Sequence, residues 1–123
     1  MRLPLSVIIT TFNEAHNIKA VVDSVEGVDE IIIVDSFSTD DTLSLVEQME
    51  NVTLFKREYI GPADQKNWAI PLAKNEWVLI LDADERVTPS LKQEIAQIIS
   101  KESSTDAFWI HRQNFFFRST RSF

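Results

Sequence analysis

Short continuous apolar runs alternate along the chain with stretches in which apolar residues recur every three or four positions. The runs Leu5–Thr10 (L-S-V-I-I-T), Glu30–Val34 (E-I-I-I-V) and Trp77–Leu81 (W-V-L-I-L) are β-branched and nearly unbroken, which predicts strands covered on both faces in a parallel sheet. Leu5–Thr10 is expected to be the first and central strand, and Val52–Lys56 fits another. Ile18, Val21, Val22 and Val25 predict an amphipathic helix over Glu14–Val25. Thr42, Leu45, Val46 and Met49 predict a second, introduced by Ser38-Thr39-Asp40-Asp41 in the form of a capping box. Pro62–Lys74 reads as a helix that Pro71 should kink or end early, since an interior proline removes a hydrogen bond and costs about 3 kcal/mol. Asn75 suits a left-handed helix end, Thr88-Pro89 an N-cap with proline behind it, and Leu91, Ile95, Ile98 and Ile99 the stripe of the last helix. Ala107–Phe117 is aromatic and reads as extended, while Trp68, Trp77 and Trp109 read as core.

Strands and helices in alternation predict an α/β fold, a three-layer Rossmann-like arrangement around a mostly parallel sheet. Ligands of such sheets sit at the carboxyl ends of the strands. Three predicted strands end there in polar residues: Thr10-Thr11-Phe12-Asn13-Glu14, Asp35-Ser36, and Asp82-Ala83-Asp84-Glu85-Arg86. All three groups should face one edge.

Composition narrows the ligand. A chain of 123 residues with 44% hydrophobic and 25% charged residues is one ordinary globular domain. Its net charge of −7, with no long basic run, argues against nucleic acid as a partner. A phosphate ligand would need local help from a metal, a helix N-terminus or a few placed cations. The absence of cysteine leaves neither disulfides nor thiolate metal sites, so a cytoplasmic setting is expected. No apolar run approaches the roughly 20 residues of a membrane span, which leaves room for peripheral contact at the inner face of a membrane.

Asp82 and Asp84, spaced by one residue behind a buried strand, can turn toward one cation, and oxygen ligands without Cys or His suit Mg²⁺ or Mn²⁺. Such an ion would reconcile an acidic protein with an acidic ligand, each opposite unit pair at roughly 4 Å contributing about 4 kcal/mol before desolvation at an effective dielectric near 20. The same residues also fit a solvated strand-to-helix turn, and Asp35 an ordinary turn residue. His16 and His111 have no partner pattern and read as surface or packing residues. Phosphatases of the haloacid dehalogenase type place a D-x-D behind a strand too. They carry Thr or Val two positions after its second aspartate, where this chain has Arg86.

In combination the segments Ser6–Glu14, Glu30–Ser36 with Ser38-Thr39-Asp40, Gln65-Lys66-Asn67 and Glu76–Glu85 resemble glycosyltransferase family 2, inverting enzymes with the GT-A fold. The resemblance runs from residue 5 to about 90. Q-K-N and D-A-D-E-R are most similar to the members that add sugars to the lipopolysaccharide core. The resemblance implies a nucleotide-diphosphate sugar as donor, with uracil as the usual base, and a glycan or lipid-linked acceptor. It places Thr11, Asn13 and Glu14 in the nucleotide pocket, Asp35 on the base, Lys66 near base or phosphates, Asp82 near ribose and metal, and Asp84 on the metal. It also implies that residues 1–123 form the donor-binding part alone, truncated on its C-terminal side. The acceptor half and its general base are expected beyond Phe123. Phe115-Phe116-Phe117 and Phe123 would then be apolar surface open to self-association. The alternative is a shortened domain that binds nucleotide sugar and metal without transfer.

Relatives usually read D-S-G-S-T-D-G-T where this chain has Asp35-Ser36-Phe37-Ser38-Thr39-Asp40-Asp41-Thr42. If either missing glycine serves a positive φ, Phe37 or Asp41 should carry the strain, or the loop should differ.

Overall fold

The structure is a computed structural model and describes residues 2–100 in full, with the backbone of 107–110 and 115–119. The elements run β1 (Leu3–Thr11), α1 (Ile18–Ser24), β2 (Val28–Asp35), α2 (Thr42–Glu47), β3 (Val52–Lys56), α3 (Pro62–Ala69), a 3-10 turn (Ile70–Leu72), β4 (Trp77–Asp82), α4 (Pro89–Ser100), β5 (Ala107–Ile110) and β6 (Phe115–Ser119). They build one six-stranded sheet in the order β3-β2-β1-β4-β6-β5. Its first four strands are parallel, β1 lies between β2 and β4 as expected, and β6 and β5 add antiparallel pairings. The described parts of Ala107–Phe117 are extended, as expected, and belong to two strands. The side chains of Trp109 and Phe115–Phe117, and the whole of His111 and Phe123, lie outside the described residues.

The unbroken apolar runs are explained by a sheet buried on both faces. Leu5, Val7, Ile9, Ile31, Ile33, Leu79 and Leu81 point to one side, where Ile18, Val21 and Val22 of α1, Val46 of α2, and Leu91 and Ile95 of α4 close over them. Ile8, Ile32, Val34, Val78 and Ile80 point to the other, under Ala69 and Ile70. The alternation of side chains along each strand thus sorts the apolar residues into two cores and gives the three layers. Trp77 is buried in the first core, whereas Trp68 packs on the margin of the second, edge-on to Phe55.

Five local expectations meet different outcomes. Pro71 does end α3 early, as its missing N–H forbids another helical turn and the chain tightens into the 3-10 turn. Thr88 caps α4, its hydroxyl accepting the Leu91 N–H at 3.2 Å. The first helix, by contrast, begins only at Ile18, because the Glu14 carbonyl accepts from both Asn17 and Ile18 N–H in a preceding turn. The capping box does not form either: Asp41 is the N-cap without a side-chain bond, and Asp40 instead takes the Thr42 N–H at 2.9 Å. Nor is Asn75 left-handed; Asn13, Phe37 and Gly27 are the described residues with φ between about +20° and +160°. The Asn75 amide bonds Ser6 Oγ and Asp29, tying the β4 approach to the sheet.

Candidate active site at the carboxyl edge

Two successive threonines end β1, and each sends its hydroxyl to the aspartate across from it on a neighbouring strand. Thr10 pairs in register with Asp82 and donates to its Oδ1 at 3.1 Å. Thr11 pairs with Asp35 and donates to its Oδ1 at 2.7 Å. The two carboxylates then differ. Asp35 is 0% exposed, and Ser38 adds its hydroxyl to Oδ1 at 2.6 Å and its N–H to Oδ2 at 2.7 Å. Asp82 is exposed, and Asp84, also exposed, has no hydrogen bond or ion pair to any described residue. Asp82 and Asp84 open into a cavity of about 520 Å³ lined by Thr10, Thr11, Phe12, Glu14, Ser36, Tyr59, Asp82, Ala83 and Asp84.

The loops behind β1 and β2 are stitched together side chain to backbone. Asn13 N–H donates to Ser38 Oγ at 2.8 Å, Glu14 N–H to Thr42 Oγ1 at 2.9 Å and Ala15 N–H to Asp40 Oδ2 at 3.1 Å. In return the Asn13 side-chain oxygen accepts the Thr39 and Asp40 N–H groups at 2.7 and 3.3 Å. Three successive N–H groups at the first strand end are therefore committed to side chains. They do not form the amide cradle by which glycine-rich loops hold phosphates. The strain expected of the missing glycines falls on Phe37, at φ 59, and not on Asp41, at φ −79. Phe37 stays in place because Ser38, its neighbour, is bonded to Asp35 from both N–H and hydroxyl.

Of the residues singled out from sequence, Thr11, Glu14, Asp82 and Asp84 meet at the cavity. Asp35 lies beneath it and touches it through Thr11. Asn13 braces the second loop from outside the lining. Lys66, on α3, lies close enough to Glu85 to favour its charged form. Burial nonetheless raises the Glu85 pKa, with the Asp82 and Asp84 charges adding to the rise and the Asp82 N–H opposing it. Thr10 and Ser36, expected at this edge from the strand ends but given no role, also line the cavity. Sequence reasoning missed Tyr59, in a segment with no periodic signal.

No group of three or more His, Cys, Asp or Glu among the described residues could hold a metal by itself. Two open carboxylates on one cavity wall fit Mg²⁺ or Mn²⁺, whose remaining positions commonly go to phosphate oxygens and water.

A parallel α/β sheet flanked by helices, with a polar cavity at the carboxyl ends of its central strands, defines a doubly wound domain that takes its ligand at that edge. Residues 6–122 match the family model described as Glycosyl transferase family 2, and the chain belongs to that family. An uncharacterised glycosyltransferase of Rickettsia felis is 40% identical over 100 residues, 80% of this chain and 35% of the relative. The lipopolysaccharide core biosynthesis glycosyltransferase LpsC of Rhizobium meliloti is 32% identical over 103 residues, 80% of this chain and 38% of that protein. Among solved structures, a mannosyltransferase from Pyrobaculum calidifontis in complex with GDP-Man and Mn²⁺ superposes with a TM-score of 0.69 at 30% identity, over 87% of this chain and 34% of its own. The fold is of the GT-A type, and the chain spans about a third of the length of the relatives it matches.

Proposed function

We propose that the cavity at the sheet edge binds a nucleotide-diphosphate sugar through a Mg²⁺ or Mn²⁺ ion held by Asp82 and Asp84. The whole protein then transfers the sugar, with inversion, to a glycan or lipid-linked acceptor. The observation that carries this reading is the pair of open carboxylates sharing a cavity wall with Thr11 and Glu14. The committed N–H groups of residues 13–15 support it, since they leave the diphosphate charge to a cation and to Lys66. When bound, the ion stabilises the departing nucleoside diphosphate.

The residues of the chain have separate tasks. Asp35 accepts the hydrogen bond that the Thr11 hydroxyl donates, so the Thr11 oxygen is left as an acceptor toward the cavity, suited to the ring N–H of a base. In this reading Asp35 serves the base through Thr11, and Asn13 holds the loop that carries Ser38. Uracil is the base expected from the family resemblance. The likeness to an enzyme holding GDP-Man makes guanine the comparison to test. The relatives' greater length leaves room beyond Phe123 for the acceptor half, whose acidic residue would deprotonate the attacking hydroxyl. Similarity to LpsC supports a lipopolysaccharide core acceptor. A cytoplasmic site of action, with peripheral contact at the inner membrane face, fits such an acceptor. No helix among the described residues is long and apolar enough to cross a membrane.

Calorimetric titration of the chain with UDP-sugars and GDP-mannose, with and without Mn²⁺, tests the reading. Binding that requires Mn²⁺ and favours the uridine donors is expected; binding indifferent to the metal would overturn it. A parallel assay of sugar transfer by the chain separates donor binding from catalysis.

A further inference from the structure

Arg86 follows the acidic loop but does not line the cavity. Its guanidinium reaches in two directions. Nη1 donates to the carbonyls of Ala83 and Glu85, both at 2.8 Å, which fixes the turn carrying Asp84. Nη2 donates to the Asn17 side-chain oxygen at 2.7 Å, across to the loop behind β1. There the Asn17 amide nitrogen lies 3.3 Å from Glu14 Oε2, and shares that position with His16 Nε2 at 3.2 Å. The Asn17 backbone N–H also donates to the Glu14 carbonyl at 2.9 Å. One rigid planar fork thus joins the turn bearing Asp82 and Asp84 to the residue that presents Glu14 to the cavity. A lysine could not do this, since an ammonium on a flexible stem has no fork to hold two carbonyls and a side-chain amide together.

We propose that Arg86 is a positioning residue that couples the two halves of the site, so that a cation on the acidic loop and a nucleotide against the Thr11–Glu14 loop each strengthen binding of the other through the Arg86–Asn17–Glu14 chain. The inference rests on the donor-site reading above. Without the link, the ion still meets the diphosphate directly, but a ligand on one loop no longer sets the geometry of the other, and that part of the enhancement is lost. Coupling of this kind is reciprocal, and typical site-to-site values run from about five-fold to 150-fold in affinity.

The test measures UDP affinity by calorimetry at zero and at saturating Mn²⁺, and Mn²⁺ affinity with and without UDP, for the wild-type chain, Arg86→Lys and Asn17→Ala. Wild type should show UDP affinity enhanced by Mn²⁺, with the same factor in the reciprocal titration. Both variants should keep a cooperative melting transition and lose at least about five-fold of that enhancement. The double variant should lose no more than the worse single one, because the two residues form one chain. An unchanged enhancement in a folded Arg86→Lys or Asn17→Ala chain would overturn the coupling while leaving the donor site standing. If Arg86→Lys fails to fold, Asn17→Ala decides alone, since it leaves the Arg86 contacts to Ala83 and Glu85 in place. A wild-type chain with no Mn²⁺ dependence would overturn the donor-site reading and the coupling together.

Discussion

Asp35 and Asp82 end strands on either side of β1, and each receives a hydroxyl from one of two successive threonines, yet they sit in opposite environments. Asp35 is sealed, its oxygens filled by Thr11 and by the N–H and hydroxyl of Ser38. Asp82 keeps acceptor capacity and solvent access, and two residues on Asp84 is exposed with no hydrogen bond to a described residue. A buried carboxylate is tolerable only when its lone pairs are met, and the Thr11 and Ser38 donors meet those of Asp35 and tie the loop to the sheet. Asp82 and Asp84, left open to the cavity, are free to meet a cation. Two acids at equivalent strand ends thus acquire different roles from the hydroxyls around them.

Removing the scaffold should have the largest effect. Asp35→Ala strands the Thr11 hydroxyl and both donors of Ser38, and should cost roughly 3 kcal/mol in urea unfolding. A loss below about 1 kcal/mol would mean that Asp35 is not what holds the loop.

Phe37→Gly acts on the same loop with the opposite sign. The left-handed conformation at φ 59 costs a residue with a Cβ about 1–2 kcal/mol, and the Phe37 ring, 56% exposed, gives little in return. After the entropic cost of glycine, a gain near 0.5 kcal/mol is expected. Destabilisation would show that the exposed ring has a packing role.

Acid titration is the smallest effect. The Asp40 pKa is held below the ordinary value, chiefly by the Thr42 hydroxyl, with the Thr42 and Ala15 N–H groups adding to it against burial. A depressed folded pKa contributes stability above the unfolded value and loses it as pH falls through the folded one. Asp40→Asn should therefore show a shallower fall in melting temperature than wild type below the usual aspartate range, and coincide in slope near neutrality. Parallel curves throughout would remove Asp40 from the stitching of the two loops.

The central strands were legible because β-branched runs without polar alternates have few other solutions than a doubly covered parallel strand. The apolar stripes located the helices for the same reason, down to the early end at Pro71. What periodicity could not show is which donor meets which acceptor. Ser38-Thr39-Asp40-Asp41 has the letters of a capping box, but Asp35 captures the Ser38 hydroxyl first. Asn75 has the preference for a left-handed end, but its amide is claimed by Ser6 and Asp29, partners 69 and 46 residues away in sequence. The same limit applied at the site. Thr11, Glu14, Asp82 and Asp84 could be brought to one edge by topology alone, whereas the sealing of Asp35 depends on a serine three residues on. Arg86, named at first as the end of the acidic strand-end group and for the phosphatase pattern it breaks, showed its reach to Asn17 only in three dimensions.

In the proposed function the open pair, Asp82 and Asp84, holds a divalent cation together with the donor diphosphate. Electron paramagnetic resonance of Mn²⁺ titrated into the chain with UDP, for wild type and Asp84→Ala, tests it most directly. Loss of the free-ion signal is expected in wild type and its retention in Asp84→Ala, whose unfolding free energy should stay within about 0.5 kcal/mol of wild type, since removing an exposed carboxylate costs little. Equal Mn²⁺ uptake by the two proteins would contradict it.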